Sequence, residues 1–217
     1  MQKAYKGMGM EGSIARWYDK TTRKDMPEYM RTARKLDAML PPGSNILEVA
    51  PGPGFLAIEL ARDARHHVTG LDISHTFVDI ARKNAAAEAV KIDFLQGNAS
   101  QMPFADNSFD LVVCRAAFKN FSEPVKAIAE MQRILRPGAK GVIIDLRRDA
   151  SMRDISNYID ATDVGVFNGL FMKATFRFML LPRAYTEDQF RQMLAQVPFS
   201  RAWIEQAPVG LEAWFEK

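Results

Sequence analysis

Apolar positions in the first forty residues recur at helical spacing. Ser13 to Lys20 reads as a short helix carrying Ile14, Trp17 and Tyr18, and Pro27 to Leu40 as a longer one with Tyr29, Met30, Ala33, Leu36 and Leu40 on one face. Pro41-Pro42-Gly43 closes that pattern, and the period then changes. Short, nearly continuous apolar runs follow at Ile46–Ala50, Val68–Leu71, Ile92–Gln96, Phe109–Cys114 and Gly141–Leu146. Between them lie amphipathic stretches: Gly54 to Ala64, the segment after Ser74 to about Glu88, and the one opened by Ser122-Glu123-Pro124 and stopped by Arg136-Pro137-Gly138. Runs apolar on both faces, alternating with helices, predict a parallel sheet covered on both sides.

The pattern breaks after Leu146. Arg147 to Arg183 carries no strand signal and is rich in aromatics and methionine. Thr186, with Gln189 three residues on, then predicts a capped helix that buries Phe190, Met193, Leu194 and Val197. Arg201–Gln206 and Gly210–Glu216, hinged at Ala207-Pro208, predict a closing antiparallel hairpin. The predicted fold is a Rossmann-like three-layer α/β/α sandwich, with a mostly parallel seven-stranded sheet ending in that hairpin. Residues 1–42 are expected to form an N-terminal helical lid on a core of 43–217, and 147–183 a helical insertion within it.

Composition changes this picture little. With 217 residues, 47% hydrophobic, one globular unit with a small insertion is expected. A net charge of +3, from 29 basic and 26 acidic residues, is no nucleic-acid signature, and no basic stripe interleaved with aromatics occurs. The single cysteine excludes an internal disulfide and fits a reducing compartment. No apolar run spans a bilayer and residues 1–12 lack a signal-peptide core, so a soluble cytoplasmic protein without stable membrane insertion is expected.

The chemistry concentrates between Asn45 and Leu60, NILEVAPGPGFLAIEL. A strand runs into Pro51-Gly52-Pro53-Gly54, and a helix follows. Glycines there let backbone lie flat against a ligand, and the first helical N–H groups favour an anion. Glu48 stands in an otherwise apolar strand, where a carboxylate needs a partner, and an ammonium would serve. Asp72 ends the second strand, where an acid accepts from ribose hydroxyls. Ammonium, carboxylate and ribose together describe S-adenosylmethionine better than a dinucleotide. Asn98, Arg115 and Asp145 also fall at the carboxyl ends of strands, where such sheets bind ligands.

These residues resemble class I S-adenosylmethionine-dependent methyltransferases, in the small-molecule group that includes the ubiquinone and menaquinone methylases. The resemblance spans nearly the whole chain, weakest over 147–183. Glu48-Val-Ala50-Pro-Gly52-Pro-Gly54 is similar to the family's first motif. The resemblance implies that Glu48 approaches the methionine amine, that Ala50, Gly52 and Gly54 line the methionine and ribose portion, and that Asp72 holds the ribose with Ile73 against the adenine. Gly97-Asn98-Ala99 is similar to the loop that reads the adenine amino group, Arg115 falls at the crevice mouth, and Ile14-Ala-Arg-Trp-Tyr18-Asp19 resembles the lid helix whose tyrosine lies near the cofactor. Ala50 stands where the family has its first glycine, Asn98 where it has aspartate, and Lys119-Asn120 where many relatives carry paired histidines.

The expected activity is methyl transfer to oxygen, nitrogen or carbon of a small apolar or aromatic acceptor. Two alternatives stand beside it: a cofactor-binding protein without methyl transfer or with chemistry other than methylation, and a nicotinamide oxidoreductase, for which any hydride-site signature after the fourth strand is lacking. No catalytic residue is singled out. His66 and His67 read as surface or structural and His75 as solvated or capping. Asp145, Lys119, Tyr5 and Tyr185 are base candidates by position only. Cys114 reads as a buried structural thiol, and Arg115 either touches the cofactor or pairs with an acid. No carboxylate cluster for a metal is evident. In Val166–Leu181, Phe167, Leu170, Phe171, Ala174 and Phe178 share one helical face, with Lys173 and Arg177 on another. A lid over the acceptor with partial core packing is the expectation; contact with a membrane surface or a second copy of the chain is the alternative.

Overall fold

The computed structural model describes residues 5–6, 9–160 and 166–217. Seven strands form one sheet: β1 Asn45–Val49, β2 His67–Asp72, β3 Asp93–Gln96, β4 Phe109–Arg115, β5 Leu135–Leu146, β6 Arg201–Gln206 and β7 Gly210–Glu216. Their order is β3-β2-β1-β4-β5-β7-β6. The first five run parallel, β7 pairs antiparallel with β5, and β6 antiparallel with β7. The predicted sandwich and its closing hairpin are therefore what the chain forms.

The central strands earn their places by composition. Ile46, Leu47, Val49, Val112, Val113 and Cys114 are fully buried, as strands covered on both faces require. Alternate residues point to opposite layers. Ile46, Val68, Leu111, Val113 and Val142 meet helices α2 (Met26–Asp37), α3 (Phe55–Ala61) and α4 (His75–Ala87). Leu47, Val49, Val112, Cys114 and Ile143 meet α5 (Pro124–Ile134) and, further along the chain, the helix Glu187–Leu194. The first helix, α1 (Gly12–Thr22), lies against α4. The Ser74 hydroxyl caps α4 by accepting the Phe77 amide, as the sequence predicts.

Several boundaries differ from the sequence expectation. Helix α3 stops at Ala61, with Ala64 in a left-handed conformation before β2. Strand β5 begins at Leu135, through the Arg136-Pro137-Gly138 predicted to end a helix before any strand starts. The register jumps from Phe109 opposite Leu135 to Leu111 opposite Lys140, so the proline and glycine sit in a bulge that needs no regular ladder.

Beyond β5, the region expected to lack strands holds α6 (Met152–Asp160) and α7 (Val166–Thr175), continued by a π-helical turn, Phe176–Leu180, and a short 3₁₀ turn, Leu181–Arg183. Ile155, Ile159, Phe176, Val209 and Ala150 make a small third core there. The stripe expected to form a lid with partial core packing does not reach the core. Leu170, Phe171 and Phe178 are exposed, and Phe176, off that stripe, is buried instead. Spacing identifies a stripe but not its direction. The Phe167 side chain lies outside the described residues. The last helix, α8 (Glu187–Leu194), starts with the predicted Thr186–Gln189 capping box.

The join between β5 and β7 supplies a test of this packing. A Cβ on Gly141 would lie 2.0 Å from the ring of Phe215, itself fully buried. Gly141→Ala is expected to lower stability by about 3 kcal/mol, read from the urea midpoint. Gly138→Ala, in open space but left-handed, should cost only about 1 kcal/mol. Equal costs at the two sites would contradict the register.

Candidate functional site

The chain leaves the sheet at β1 through Ala50, Pro51, Gly52, Pro53 and Gly54. Three of these are left-handed: Ala50 at φ 57°, Gly52 at 55° and Gly54 at 84°. Gly54 has no alternative, because a Cβ would sit 2.9 Å from the Phe94 ring and 3.0 Å from Ala81. Ala50 carries its methyl in a region L-residues avoid, at a cost of roughly 1–2 kcal/mol relative to an unstrained residue. The Ala50 amide is held by the Leu71 carbonyl at 2.7 Å.

Asp72 fastens this turn. Its Oδ2 accepts the Gly52 amide at 3.0 Å and its Oδ1 the Ser74 amide at 2.8 Å. Burial pushes the carboxyl up to about 6, with the Ser74 and Gly52 amides pulling it back and Glu11 adding to the rise. Each oxygen keeps a lone pair, so the group can still accept from a hydroxyl.

Glu48 lies beneath α3 and is wholly buried. Burial raises its carboxyl to about 8; the Ala57 amide in the first turn of α3, and then Arg115, oppose that rise. One oxygen thus finds a backbone partner that strand–turn–helix geometry supplies. The other, Oε2, has none among the described residues. The need for an outside partner, read from sequence for the whole carboxylate, applies to half of it.

Arg115 ends β4 on the same face of the sheet. Its guanidinium lies 4.4 Å from the centroid of the Tyr29 ring. No carboxylate among the described residues forms an ion pair with it, which removes one of the two sequence readings. Tyr18 packs edge-on to Phe77 at 5.8 Å, and its ring would lie 4.0 Å from a Cβ at Gly52. Burial raises the Tyr18 phenol, with Arg115 acting against it.

The adenine-side residues follow β2 and β3. Ile73 is exposed at the strand tip. The Gly97 amide donates to the Asp72 carbonyl at 2.9 Å, and Ala99 packs against the core. Asn98 uses its side-chain oxygen within its own turn, accepting the Ser100 amide at 2.9 Å. The strands therefore bring Tyr18, Glu48, Ala50, Gly52, Gly54, Asp72, Ile73, the Gly97–Ala99 loop and Arg115 to one end of the sheet, at the point where strand order reverses between β1 and β4.

Lys119 and Asp145, separate base candidates in the sequence, are a buried ion pair at 2.8 Å. Lys119 also donates to the Ala116 carbonyl, and Asp145 accepts the Lys119 and Leu146 amides. Both are occupied with each other rather than free. His66 is buried against Asp37, His75 is exposed beside Asp79, and Cys114 is buried with its thiol pushed up by burial. Among the described residues no group of His, Cys, Asp and Glu could hold a metal.

Sequence reasoning missed the strap at the crevice mouth. Glu11 accepts the His75 and Thr76 amides at the start of α4, and the Ser74 hydroxyl donates to the Met10 carbonyl. Further out, Tyr5 bridges to Phe121 and the Lys6 ammonium donates to the Tyr185 hydroxyl. These contacts join positions about 64 or more residues apart, and no local pattern announces them. A groove of about 410 Å³ between α8 and β6 lies elsewhere.

A sheet in this order, with a glycine turn after β1 and an acid at the tip of β2, defines the fold of class I S-adenosylmethionine-dependent methyltransferases. A methyltransferase-domain family profile matches residues 47–143. A demethylmenaquinone methyltransferase of Listeria monocytogenes is 32% identical over 180 residues, covering 81% of this chain and 73% of that protein. One from Deinococcus radiodurans is 35% identical over 146 residues, 65% of this chain. The chain spans only 61% of that relative's length. A Methanococcus maripaludis structure, described as an S-adenosyl-L-methionine-dependent methyltransferase, superposes with a TM-score of 0.78 at 21% identity, covering 100% of this chain and 97% of that one; it shows the shared fold. The chain belongs to this family of methyltransferases.

The residues present fit the family's cofactor. The orphaned Glu48 oxygen suits an ammonium, the unpaired Arg115 a carboxylate, and the free lone pairs of Asp72 a ribose. Glu48 also makes the apo protein's stability pH-dependent. Its folded pKa of about 8 exceeds the ordinary 4.5, so the folded state holds a proton that the unfolded chain releases. Stability is therefore greatest at low pH in that window and falls as pH rises toward 8. Glu48→Gln is expected to flatten this slope and to raise stability at the alkaline end by on the order of 1–3 kcal/mol, read from urea midpoints across pH. A variant with the wild-type slope would contradict it.

Proposed function

We propose that the chain transfers the methyl group of S-adenosylmethionine to a quinone-type aromatic acceptor. What carries the reading is the meeting of Glu48, Asp72 and Arg115 around one glycine turn. The names of the relatives supply the acceptor class. When bound, the cofactor supplies an activated methyl on a sulfonium, whose transfer to a nucleophile leaves S-adenosylhomocysteine.

The protein's part is then to bind, orient and exclude water. Asp72 accepts from the ribose hydroxyls while still holding Gly52. Ile73 lies against the adenine, and the Gly97–Ala99 loop reads its edge through backbone and through the lone pair that the Asn98 oxygen keeps beside its bond to the Ser100 amide. Arg115 takes the methionine carboxylate and Glu48 faces its ammonium. Residues 1–42 form the lid, with Tyr18 over the glycine turn. The 147–183 insertion forms the acceptor side. Lys119 and Asp145 brace the floor of the crevice as a neutralised pair and are not the base.

Calorimetry with S-adenosylhomocysteine tests the cofactor half. Affinity should hold above about pH 7 and fall as pH drops through about 6, because protonation turns an accepting oxygen of Asp72 into a donor. Asp72→Asn should weaken binding by at least about tenfold. Unchanged affinity in that variant would overturn the site. Incubation with methyl-labelled cofactor and a panel of naphthoquinols, phenols and amines tests the acceptor; label should pass to the naphthoquinol, and label on amines alone would overturn that part.

A further inference from the structure

The outward side of α7 and the π-helical turn after it is exposed, with no partner among the described residues. Leu170 is 61% exposed, Phe171 70%, Phe178 72% and Met179 56%. These are the largest exposed apolar side chains of one continuous segment, with Ala174 exposed between them. The opposite side is satisfied: Phe176 packs with Ile155, Ile159 and Val209. Concentrated apolar exposure of this kind marks an interaction surface.

The charges around the ridge say what covers it. Between residues 166 and 183 the sequence holds Lys173, Arg177 and Arg183 and no acid. Lys173 reaches back to Asp160 at 3.1 Å. The Arg177 guanidinium lies 5.8 Å from the Phe178 ring centroid, and neither Arg177 nor Arg183 has a carboxylate partner among the described residues. A second copy docked ridge to ridge would set these arginines against their equivalents, with no acid on the ridge to neutralise them. Anionic lipid headgroups meet both requirements, taking the aromatics between acyl chains and the guanidiniums at the phosphates.

The ridge also adjoins the crevice. Arg148, just past the end of β5, donates to the Pro182 and Ala184 carbonyls, and Tyr185 packs against Phe118 beside Lys119. We infer that this ridge seats the protein on an anionic membrane surface, with the crevice mouth turned to the bilayer. The inference rests on the proposed acceptor in one respect: an apolar quinone partitions into the membrane, and a peripheral enzyme meets it there. No described helix is long and apolar enough to cross a bilayer, so the contact is interfacial.

Sedimentation of the full chain with vesicles free of any quinone tests it. Binding is expected to phosphatidylglycerol–phosphatidylcholine vesicles, weaker as salt rises, and to pure phosphatidylcholine much less. Phe171→Ser with Phe178→Ser should lower the partition coefficient by at least about tenfold. Arg177→Glu, a surface change that leaves the apolar ridge intact, should remove the preference for phosphatidylglycerol. Both variants should keep the thermal stabilisation that S-adenosylhomocysteine gives the wild type, which shows that they fold. No partition of the wild type, equal partition on both vesicles, or unchanged partition in the variants would overturn the inference. So would light scattering that shows a dimer lost in the double variant without vesicle binding, which would assign the ridge to a second copy. Failure of the methylation reading appears separately, as absence of stabilisation by S-adenosylhomocysteine.

Discussion

One carboxylate sets the terms for the rest of the site. Asp72 gives one oxygen to the Gly52 amide and the other to the Ser74 amide, so it ties the turn after β1 to the start of α4. That turn is not a relaxed one. Three of its five residues are left-handed, and Ala50 carries a side chain there. Two hydrogen bonds to a charged group, each worth roughly 1.5–3 kcal/mol, offset that strain. The grip also decides where a ligand can go, since the remaining lone pairs of Asp72 point away from bonds already made. Glu48 is the counterpart beneath the turn. It spends one oxygen on the α3 backbone, and its buried charge and that of Asp72 disfavour each other. A cationic ligand group relieves both, which is why a sulfonium-bearing amino acid suits this crevice better than a pyrophosphate does.

The crevice is a product of topology as much as of side chains. The chain winds outward from β1 to β3 and then returns to β4 on the other side, which leaves the ends of β1 and β4 open to a ligand. Both ends carry a left-handed alanine, Ala50 after β1 and Ala116 after β4. Lys119 steadies the second by holding the Ala116 carbonyl while it neutralises Asp145. Where the family resemblance places paired histidines, this chain has a brace between the ends of two strands.

Much of this was legible in the sequence. β1 to β4 and the hairpin announced themselves because strands buried on both faces need unbroken apolar runs. Gly52, Gly54 and Asp72 announced themselves because turn and acid stand at fixed distances from those runs. What failed did so for physical reasons. Pro137 and Gly138 read as a stop, yet a bulge lets a strand pass through them. The stripe through Leu170, Phe171 and Phe178 was correct as spacing, but periodicity cannot say whether a stripe meets core or solvent, and Phe176 took the buried position. The Lys119–Asp145 pair and the Glu11 cap depend on contacts between distant segments that only the folded sheet creates.

The central claim is that the nucleoside rests on Asp72 where β1 gives way to α3. A crystal structure with S-adenosylhomocysteine measures this most directly. The account predicts both ribose hydroxyls within hydrogen-bond distance of the Asp72 carboxylate, with the Gly52 amide still in place and the amino-acid end between Glu48 and Arg115. Adenosine bound at another strand end, or in the groove between α8 and β6, would contradict it.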